Sequence, residues 1–469
     1  MYSIDQNKLS KEQYDVIVVG GGNAALVSAI SAAESGATVL VLEKAPRDLR
    51  GGNSKFTRNF RFAHPIDWGR TSGEYKEEEF LSDIISVTHG KADKELTEDM
   101  VKHSIEAVKW ADSHGIKWRK ALNATLQLSR TNQFFLGGGK ALLNQYYRRL
   151  ELIKSARILY ETPVQKLLTE HGRIIGVVVG EGDTAVNIYA GSVILASGGY
   201  ESNLKKLDEY WGHKSKNFIV RGTSYNSGEV LFEALRIGAE KIGAEADGHM
   251  VACDARSPKF EGGIVTRVDS VIFGITINKN CERFFDEGED IWPKRYAVVG
   301  KLVSDQPDQI AFTIFDNKSW GMFIPPAYPP YKADTIEELA KQVSLDPARM
   351  VKTICEFNDS VKYGCNFDPT RHDGCHTVGL RPEKTNWASK IDTPPFYCYP
   401  VRPGITFTYL GVKVNKKSEV IATSGGKIGG LYAAGEIMAG NILSDGYLGG
   451  VGMTIGTLFG IRAGREAAK

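Results

Sequence analysis

The six cysteines of this chain (Cys253, Cys281, Cys355, Cys365, Cys375 and Cys398) include no C-x-x-C pair. The signatures of iron–sulfur ligation and of c-type haem attachment are therefore missing, and no metal is expected. Cys365 and Cys375 stand too far apart to read as a redox motif, so buried or inert thiols are expected there. No run approaches the roughly 18 consecutive apolar residues that a membrane-spanning helix needs. The start, Met1 to Gln13, is polar and charged, which predicts no secretory leader and a reduced, cytoplasmic compartment. An excess of either charge is lacking too: 58 basic and 56 acidic residues leave a net charge of +2. That balance gives no electrostatic footprint for nucleic acid.

What the chain does have in excess is glycine, 50 residues in 469, against an average usage of about 7%. The glycines cluster in short runs, at Gly20 to Gly22, Gly51-Gly52, Gly137 to Gly139, Gly198-Gly199 and Gly449-Gly450. Such clustering suits a backbone that must approach a ligand closely at several points.

Length alone predicts two domains. The first opens with Tyr14 to Val19, a β-branched apolar run of the kind found in buried parallel strands. A helix-prone stretch, Leu26 to Glu34, follows, and then a second strand, Thr38 to Leu42. Positions 100–152 read as helical around a turn at Gly137 to Gly139, and strand-like segments return at Gly172 to Val179 and Ser192 to Ala196. From about 244 to 402 prolines and aromatics become denser, and one helix, Thr335 to Gln342, opens on a Thr-x-x-Glu capping box. The last stretch returns to the first style. The expected architecture is α/β: a split Rossmann-like domain over 12–243 and 403–469, with an inserted α+β cap over 244–402.

Gly20-x-Gly22-x-x-Ala25 sits between the first strand and its helix, and Glu43 closes the second strand. Gly20 allows the tight turn, Gly22 admits a pyrophosphate, and Ala25 lets the helix pack on the strand. Glu43, followed by Lys44, would accept from ribose hydroxyls. Three further features favour FAD over NAD. Gly51-Gly52-Asn53-Ser54 follows the ribose acid, Ser197-Gly198 ends a later strand, and Leu431 to Glu436 precedes Gly449 to Thr454. Gly435 and Glu436 would meet the ribityl chain. The amides near Thr454-Ile455, with Gly450 before them, would face the flavin pyrimidine edge. Gly138, Gly139 and Val164 complete the expected cofactor contacts.

These motifs, in this order, resemble the flavoprotein family that includes succinate dehydrogenase, fumarate reductase and 3-ketosteroid dehydrogenase. Longer phrases are most similar to its tricarballylate dehydrogenase branch: Arg50 to Ser54 with Thr57-Arg58-Asn59, Leu136 to Leu142, Asn217 to Thr223, Gly262 to Arg267, Arg283 to Gly288, Arg402 to Thr408 and Gly435 to Asn441. The resemblance implies noncovalent FAD and hydride transfer between flavin N5 and one substrate carbon. A proton moves on the neighbouring carbon, so that tricarballylate, or a similar tricarboxylate or dicarboxylate, becomes an alkene (cis-aconitate from tricarballylate). It also implies a membrane-associated electron-transfer protein feeding quinone, through which a cytoplasmic chain would reach the inner membrane. Two alternatives stand beside it: a flavin oxygenase of the cobalamin-biosynthesis type and a soluble fumarate-reductase-like enzyme.

A polycarboxylate site needs cationic donors, and Arg221, Arg267, Arg283, Lys294, Arg295 and Arg402 are the candidates. The reductases' R-F-x-x-E-x-x-x-R phrase ends in the proton-transferring arginine. Arg283-Phe284 and Glu287 match it, but position 291 is Ile, which leaves Arg295 as the expected proton-transfer residue. His249 matches a substrate-binding histidine, and Arg402, beside Pro403-Gly404, a substrate arginine. Where the family has a second histidine this chain reads Thr406-Phe407-Thr408-Tyr409, so the hydroxyls of Thr406, Thr408 and Tyr409 are the expected carboxylate donors. The family's C-terminal arginine is replaced within Asn441 to Tyr447. His64 lies in a phrase unlike the usual flavin-attachment motif.

Overall fold

A computed structural model describes residues 12–121, 128–180, 182–362 and 364–469. Positions 1–11, most of the polar start, and 122–127, inside the stretch read as helical, lie outside them.

Five parallel strands run in the order Ala156–Leu159, Val39–Leu42, Gln13–Val19, Val186–Leu195, Lys427–Ala433. Val16, Val39 and Val193 have no exposed surface, as expected where helices cover both faces of a parallel sheet. The helix Asn23–Glu34 follows the first strand, and the closing helix Val451–Ala467 packs along it. Strand Val186–Leu195 also ends an antiparallel meander with Val164–Glu170 and Arg173–Val179. Because Lys427–Ala433 comes from the far end of the chain, the nucleotide-binding unit is split in sequence and the fold is α/β.

A second sheet forms the cap. Strand Phe396–Thr408 pairs antiparallel with Gly248–Asp254 and with Ala311–Asp316, and Ile275–Asn278 adds to the far edge. This long strand crosses 402–403 without a break, and Ile219–Val220 joins it in parallel. The insertion's sheet thus draws on residues from both sides of the composition boundaries. Behind it, Ile275, Ile314 and Cys398 form a separate core with Leu339, Met350 and Phe357 of the helices Ile336–Gln342 and Pro347–Ser360. The capping box acts at the first of these: Thr335 Oγ1 accepts from the Glu338 amide at 3.2 Å.

Cys365 and Cys375 are not thiols but a disulfide, with Cα atoms 5.4 Å apart. Spacing along the chain misjudged them because the loop between folds back on itself. Among the described residues no helix is long and apolar enough to cross a membrane.

Candidate active site

A single cleft runs between the split domain and the cap, lined at one end by Gly20, Gly22, Glu43, Lys44 and Val164 and at the other by Arg221, His249, Arg267 and Tyr296. At the first end the strand–turn–helix forms an anion cradle. The helix Asn23–Glu34 has no side-chain cap. Its Asn23 amide donates to Ser54 Oγ at 3.0 Å, and the next amides stay free for a diphosphate. Gly22 is in extended conformation (φ −79°), and a β-carbon there would meet nothing closer than Ser54 Oγ at 3.4 Å. The protein's own packing does not demand a glycine at this position; a ligand occupying the space in front of it does. Ala25 is fully buried behind the turn, and Lys44 reaches sideways to Ser227 at 2.5 Å and Glu229 at 2.6 Å.

Glu43 is buried and accepts the Ala45 amide at 2.7 Å. Burial, opposed by that amide and by Lys55 and Lys44, pushes its pKa up to about 7. Ribose hydroxyls donating to it favour the ionised form, so cofactor binding should expel a proton. FAD affinity of the apoprotein should therefore weaken as pH falls below about 7, by up to about tenfold per pH unit, and level off above it. The opposite sign holds for the apoprotein's stability. Glu43 contributes fully below the unfolded carboxyl range, and the contribution is lost as pH rises through about 7. Flavin-fluorescence titrations from pH 5.5 to 8.5 check this, and Glu43→Gln should flatten the dependence.

Toward the middle, Gly52, Asn53 and Ser54 line the cleft from a short turn, Gly52–Phe56. Gly51, Gly138 and Gly139 do not line it. They brace that turn from behind, where the Gly139 amide donates to Thr57 O at 2.7 Å. Gly198 and Ser197 line the cleft, and the buried Ser197 Oγ has no partner. Gly435 and Glu436 follow, with Glu436 Oε1 accepting the Thr408 amide at 2.9 Å. Burial and then the neighbouring Glu201 carboxyl hold Glu436 well above the usual carboxylate range. The closing helix begins at Val451 behind Gly450 (φ +90°), three residues before Thr454. Of its first turn, Gly450, Gly452 and Met453 line the cleft, and the Gly452 amide donates to the Tyr447 hydroxyl at 3.1 Å. Thr454 and Ile455 lie in the next turn and are fully buried, and the Thr454 hydroxyl donates to Arg61 O at 2.5 Å. At Gly449 a β-carbon would make only ordinary contacts, the nearest with the Tyr296 hydroxyl at 3.6 Å. Two glycines that only a ligand requires, an orphaned hydroxyl and two helix ends opened by glycine caps fit an extended dinucleotide such as FAD.

At the cap end three guanidinium groups converge. Arg221 follows the strand Ile219–Val220 and donates through Nε to Thr406 Oγ1 at 2.9 Å, leaving Nη1 buried without a partner among the described residues. Arg267 faces Asp269, with Nη2 2.7 Å from Oδ2. Arg58, from the loop after Phe56, shares the cleft. Burial, then the neighbouring Arg267, pushes both Arg58 and Arg221 down to about 10. Burial opposes the charge on Arg267 as well, but Asp269 outweighs it and the net shift is upward. His249 stacks on Tyr447 with ring centres 4.3 Å apart, and its Nε2 has no partner. Burial and then Arg221 and Arg267 hold its pKa well below the usual value, so it is neutral.

Other expected residues stand elsewhere. Arg295 pairs with Glu289 and does not line the cleft. Glu287 is fully buried in an ion pair with Arg283 (2.5 Å) and accepts the Thr276 amide. Arg402 donates to the Asp308 carbonyl at 2.8 Å, outside the cleft. Lys294 is clasped to Asp83 at 2.5 Å, which ties the cap segment Trp292–Arg295 to the split domain. Thr408 is buried against Glu436, and Tyr409 donates to Gly446 O at 2.9 Å, so of the expected hydroxyls only Thr406 lines the cleft. His64 lies off it, its ring nitrogens on the carbonyls of Pro65 and Arg130. Arg58, Asp269 and Tyr296 had no assigned role. Arg58 lay within a matched phrase, Thr57-Arg58-Asn59, whose charge was the available signal.

Residues 15–452 match the profile of a family described as FAD binding domain. The chain is 25% identical over 98% of its length to an NADH:acrylate oxidoreductase of Vibrio harveyi, covering 51% of that protein. It is 26% identical over 99% of its length to an NADH:fumarate oxidoreductase of Klebsiella pneumoniae (strain 342), covering 48% of that protein. It therefore spans about half the length of these two relatives. A solved flavocytochrome c3 fumarate reductase superposes with TM-score 0.75 at 24% identity, over 99% of this chain and 81% of that one. A 3-ketosteroid-delta4-(5alpha)-dehydrogenase from Rhodococcus jostii RHA1 gives the same TM-score at 22% identity, over 98% and 97%.

Proposed function

Because the chain belongs to the FAD binding domain family of flavin-dependent oxidoreductases and binds FAD, we propose that it interconverts the CH–CH bond and the alkene of a small polycarboxylate, with tricarballylate and cis-aconitate as the pair. One observation carries this reading. Arg58, Arg221 and Arg267 meet in one cleft, and among the described residues the carboxylate that pairs with this cluster, Asp269 against Arg267, stands behind the lining. Buried like charges and orphaned donors are costly unless a ligand completes them. Carboxylates on Arg58 and Arg221 would supply the missing negative charge, and a third would meet the neutral His249 Nε2 and the Thr406 region. The named activities of the relatives, on acrylate and on fumarate, support chemistry on small unsaturated acids.

The cofactor, when bound, accepts or returns a hydride. The chain's own side chains do the rest. The arginines orient the acid by its carboxylates, and the clasp of Lys294 on Asp83 holds the Trp292–Tyr296 wall against the cleft and excludes water. The electrons pass on to a membrane-associated carrier that feeds quinone. The crowding of guanidinium groups argues against a large macrocyclic substrate.

The test is anaerobic. Tricarballylate should bleach the oxidised flavin of the purified protein, with succinate and citrate slower by about tenfold or more. A flavin that dithionite reduces but none of the three acids bleaches, and whose reduced form neither cis-aconitate nor fumarate reoxidises, would sink the proposal.

A further inference from the structure

Alkane–alkene chemistry moves a proton as well as a hydride, and the expected proton carrier, Arg295, points away from the cleft into an ion pair with Glu289. The three arginines that do line the cleft are poor substitutes, because a carboxylate bound to a guanidinium stabilises its charge and holds its proton. Burial, then Arg221 and Arg267, hold the pKa of His249 well below the usual value and keep the ring neutral. We propose that Tyr296 is the group that carries the substrate's proton, an assignment that rests on the alkene-forming reading above.

Two other buried tyrosines stand nearby, each with its hydroxyl in a hydrogen bond, and of the arginines only Arg221 lowers the pKa of Tyr447 where three lower that of Tyr296. Tyr447 accepts the Gly452 amide at 3.1 Å, and Tyr409 donates to Gly446 O at 2.9 Å. The Tyr296 hydroxyl has no hydrogen-bond partner among the described residues and lies 3.6 Å from where a β-carbon on Gly449 would stand. It therefore borders the turn that leads into the closing helix, on the side where the cofactor must pass. The ring is held rigidly. His249 meets it edge-on at 5.3 Å, and the Arg267 guanidinium lies 4.5 Å from its centroid. Burial raises the phenol's pKa, while Arg267, Arg221 and Arg58 each pull it down. The resting group is thus a phenol, and the phenolate it leaves behind sits among three positive charges.

The step balances in both directions. When the alkene is reduced, the Tyr296 O–H bond breaks and a C–H bond forms at one alkene carbon. The other carbon receives a hydride from the reduced flavin, and the phenolate regains its proton from solvent. When the acid is oxidised, the phenol first gives its proton to solvent; the phenolate then takes the proton from one carbon as the hydride leaves the other for the oxidised flavin.

The Tyr296→Phe holoenzyme should keep its FAD, its reduction by dithionite and its tricarballylate affinity within about threefold. It should lose about 10²- to 10⁴-fold in kcat, the usual contribution of a positioned acid or base. Ultraviolet difference titration of the substrate-free protein should show one fewer titrating tyrosine, a readout independent of turnover. A variant that turns over within threefold of the parent, while the parent is active, overturns the Tyr296 assignment alone. A parent inactive on all the acids overturns the alkene-forming reading and this assignment with it. Should the variant emerge without FAD, the parent's pH profile for alkene reduction decides. A fall in rate on the alkaline side, in the range of a tyrosine, supports Tyr296, and a rate flat to high pH overturns it.

Discussion

Arg221→Met should cripple the enzyme and yet make the substrate-free holoenzyme more stable. Truncating one partner of a buried charge pair costs about 2–5 kcal/mol, so kcat/KM for tricarballylate should drop by about 30- to 4000-fold. Without substrate the sign reverses. Arg221 is buried beside Arg267, and among the described residues its Nη1 has no partner and its one side-chain bond is to Thr406 Oγ1. Methionine fills nearly the same volume without the charge, and replacing a buried charge by an apolar group is often neutral or stabilising by about 1–4 kcal/mol. Part of that gain goes to the Thr406 hydroxyl left without its donor. The melting temperature should rise by roughly 1–3 °C. Steady-state kinetics and thermal melts on one preparation read both effects. A variant that binds tricarballylate as tightly as the parent would remove the arginine cluster from the substrate's surroundings. A variant that melts far below the parent would mean that Arg221 is a structural ion-pair member whose partner lies elsewhere.

The second large effect separates two glycines of the same fingerprint. Gly22→Val should yield a folded protein without cofactor, whereas Gly20→Val should not fold at all. At Gly22 the backbone is extended, a conformation valine prefers, and the first added carbon finds only ordinary contacts. The rest of the side chain then projects where the diphosphate must lie. Losing two charge-assisted bonds costs about 3–6 kcal/mol, or about 100- to 20,000-fold in FAD affinity. At Gly20 φ is +118° and a β-carbon would stand 2.3 Å from the Ala196 carbonyl oxygen, inside the contact between two central strands. Circular dichroism should show native helix content for Gly22→Val, with the flavin absorbance gone. A bright yellow Gly22→Val protein would contradict the cradle, and a soluble, folded Gly20→Val protein would contradict the strand contact.

Much of this was legible before any coordinates. The β-branched apolar runs Tyr14 to Val19 and Thr38 to Leu42 predict the strands found at Gln13–Val19 and Val39–Leu42 because a strand buried on both faces admits little else, and Thr335 announces its helix by the hydroxyl that caps it. Gly20, Gly22 and Glu43 could be given roles because their chemistry is local: a turn, a close approach and an acceptor within one strand–helix–strand unit. The amides expected at the flavin edge, near Thr454-Ile455, lie inside the closing helix instead, because Gly450 adopts the left-handed conformation that opens it.

The cap end resisted such reading. Arg295 and Tyr296 are neighbours in sequence, but successive residues around a helical turn point roughly 100° apart, so one faces Glu289 and the other the cleft. No spacing rule says which. Arg58, Arg221, His249, Arg267 and Tyr296 come from separate loops and strands and share a cleft only because the cap closes over the split domain. Likewise only folding decided that Glu287 ties to Arg283, that Arg402 binds the Asp308 carbonyl, and that Cys365 meets Cys375. The sequence by itself determined the cofactor cradle, because its parts touch along a short stretch of chain. The tertiary structure alone decided which charges face the cleft, because that depends on the direction of side chains brought together from distant segments.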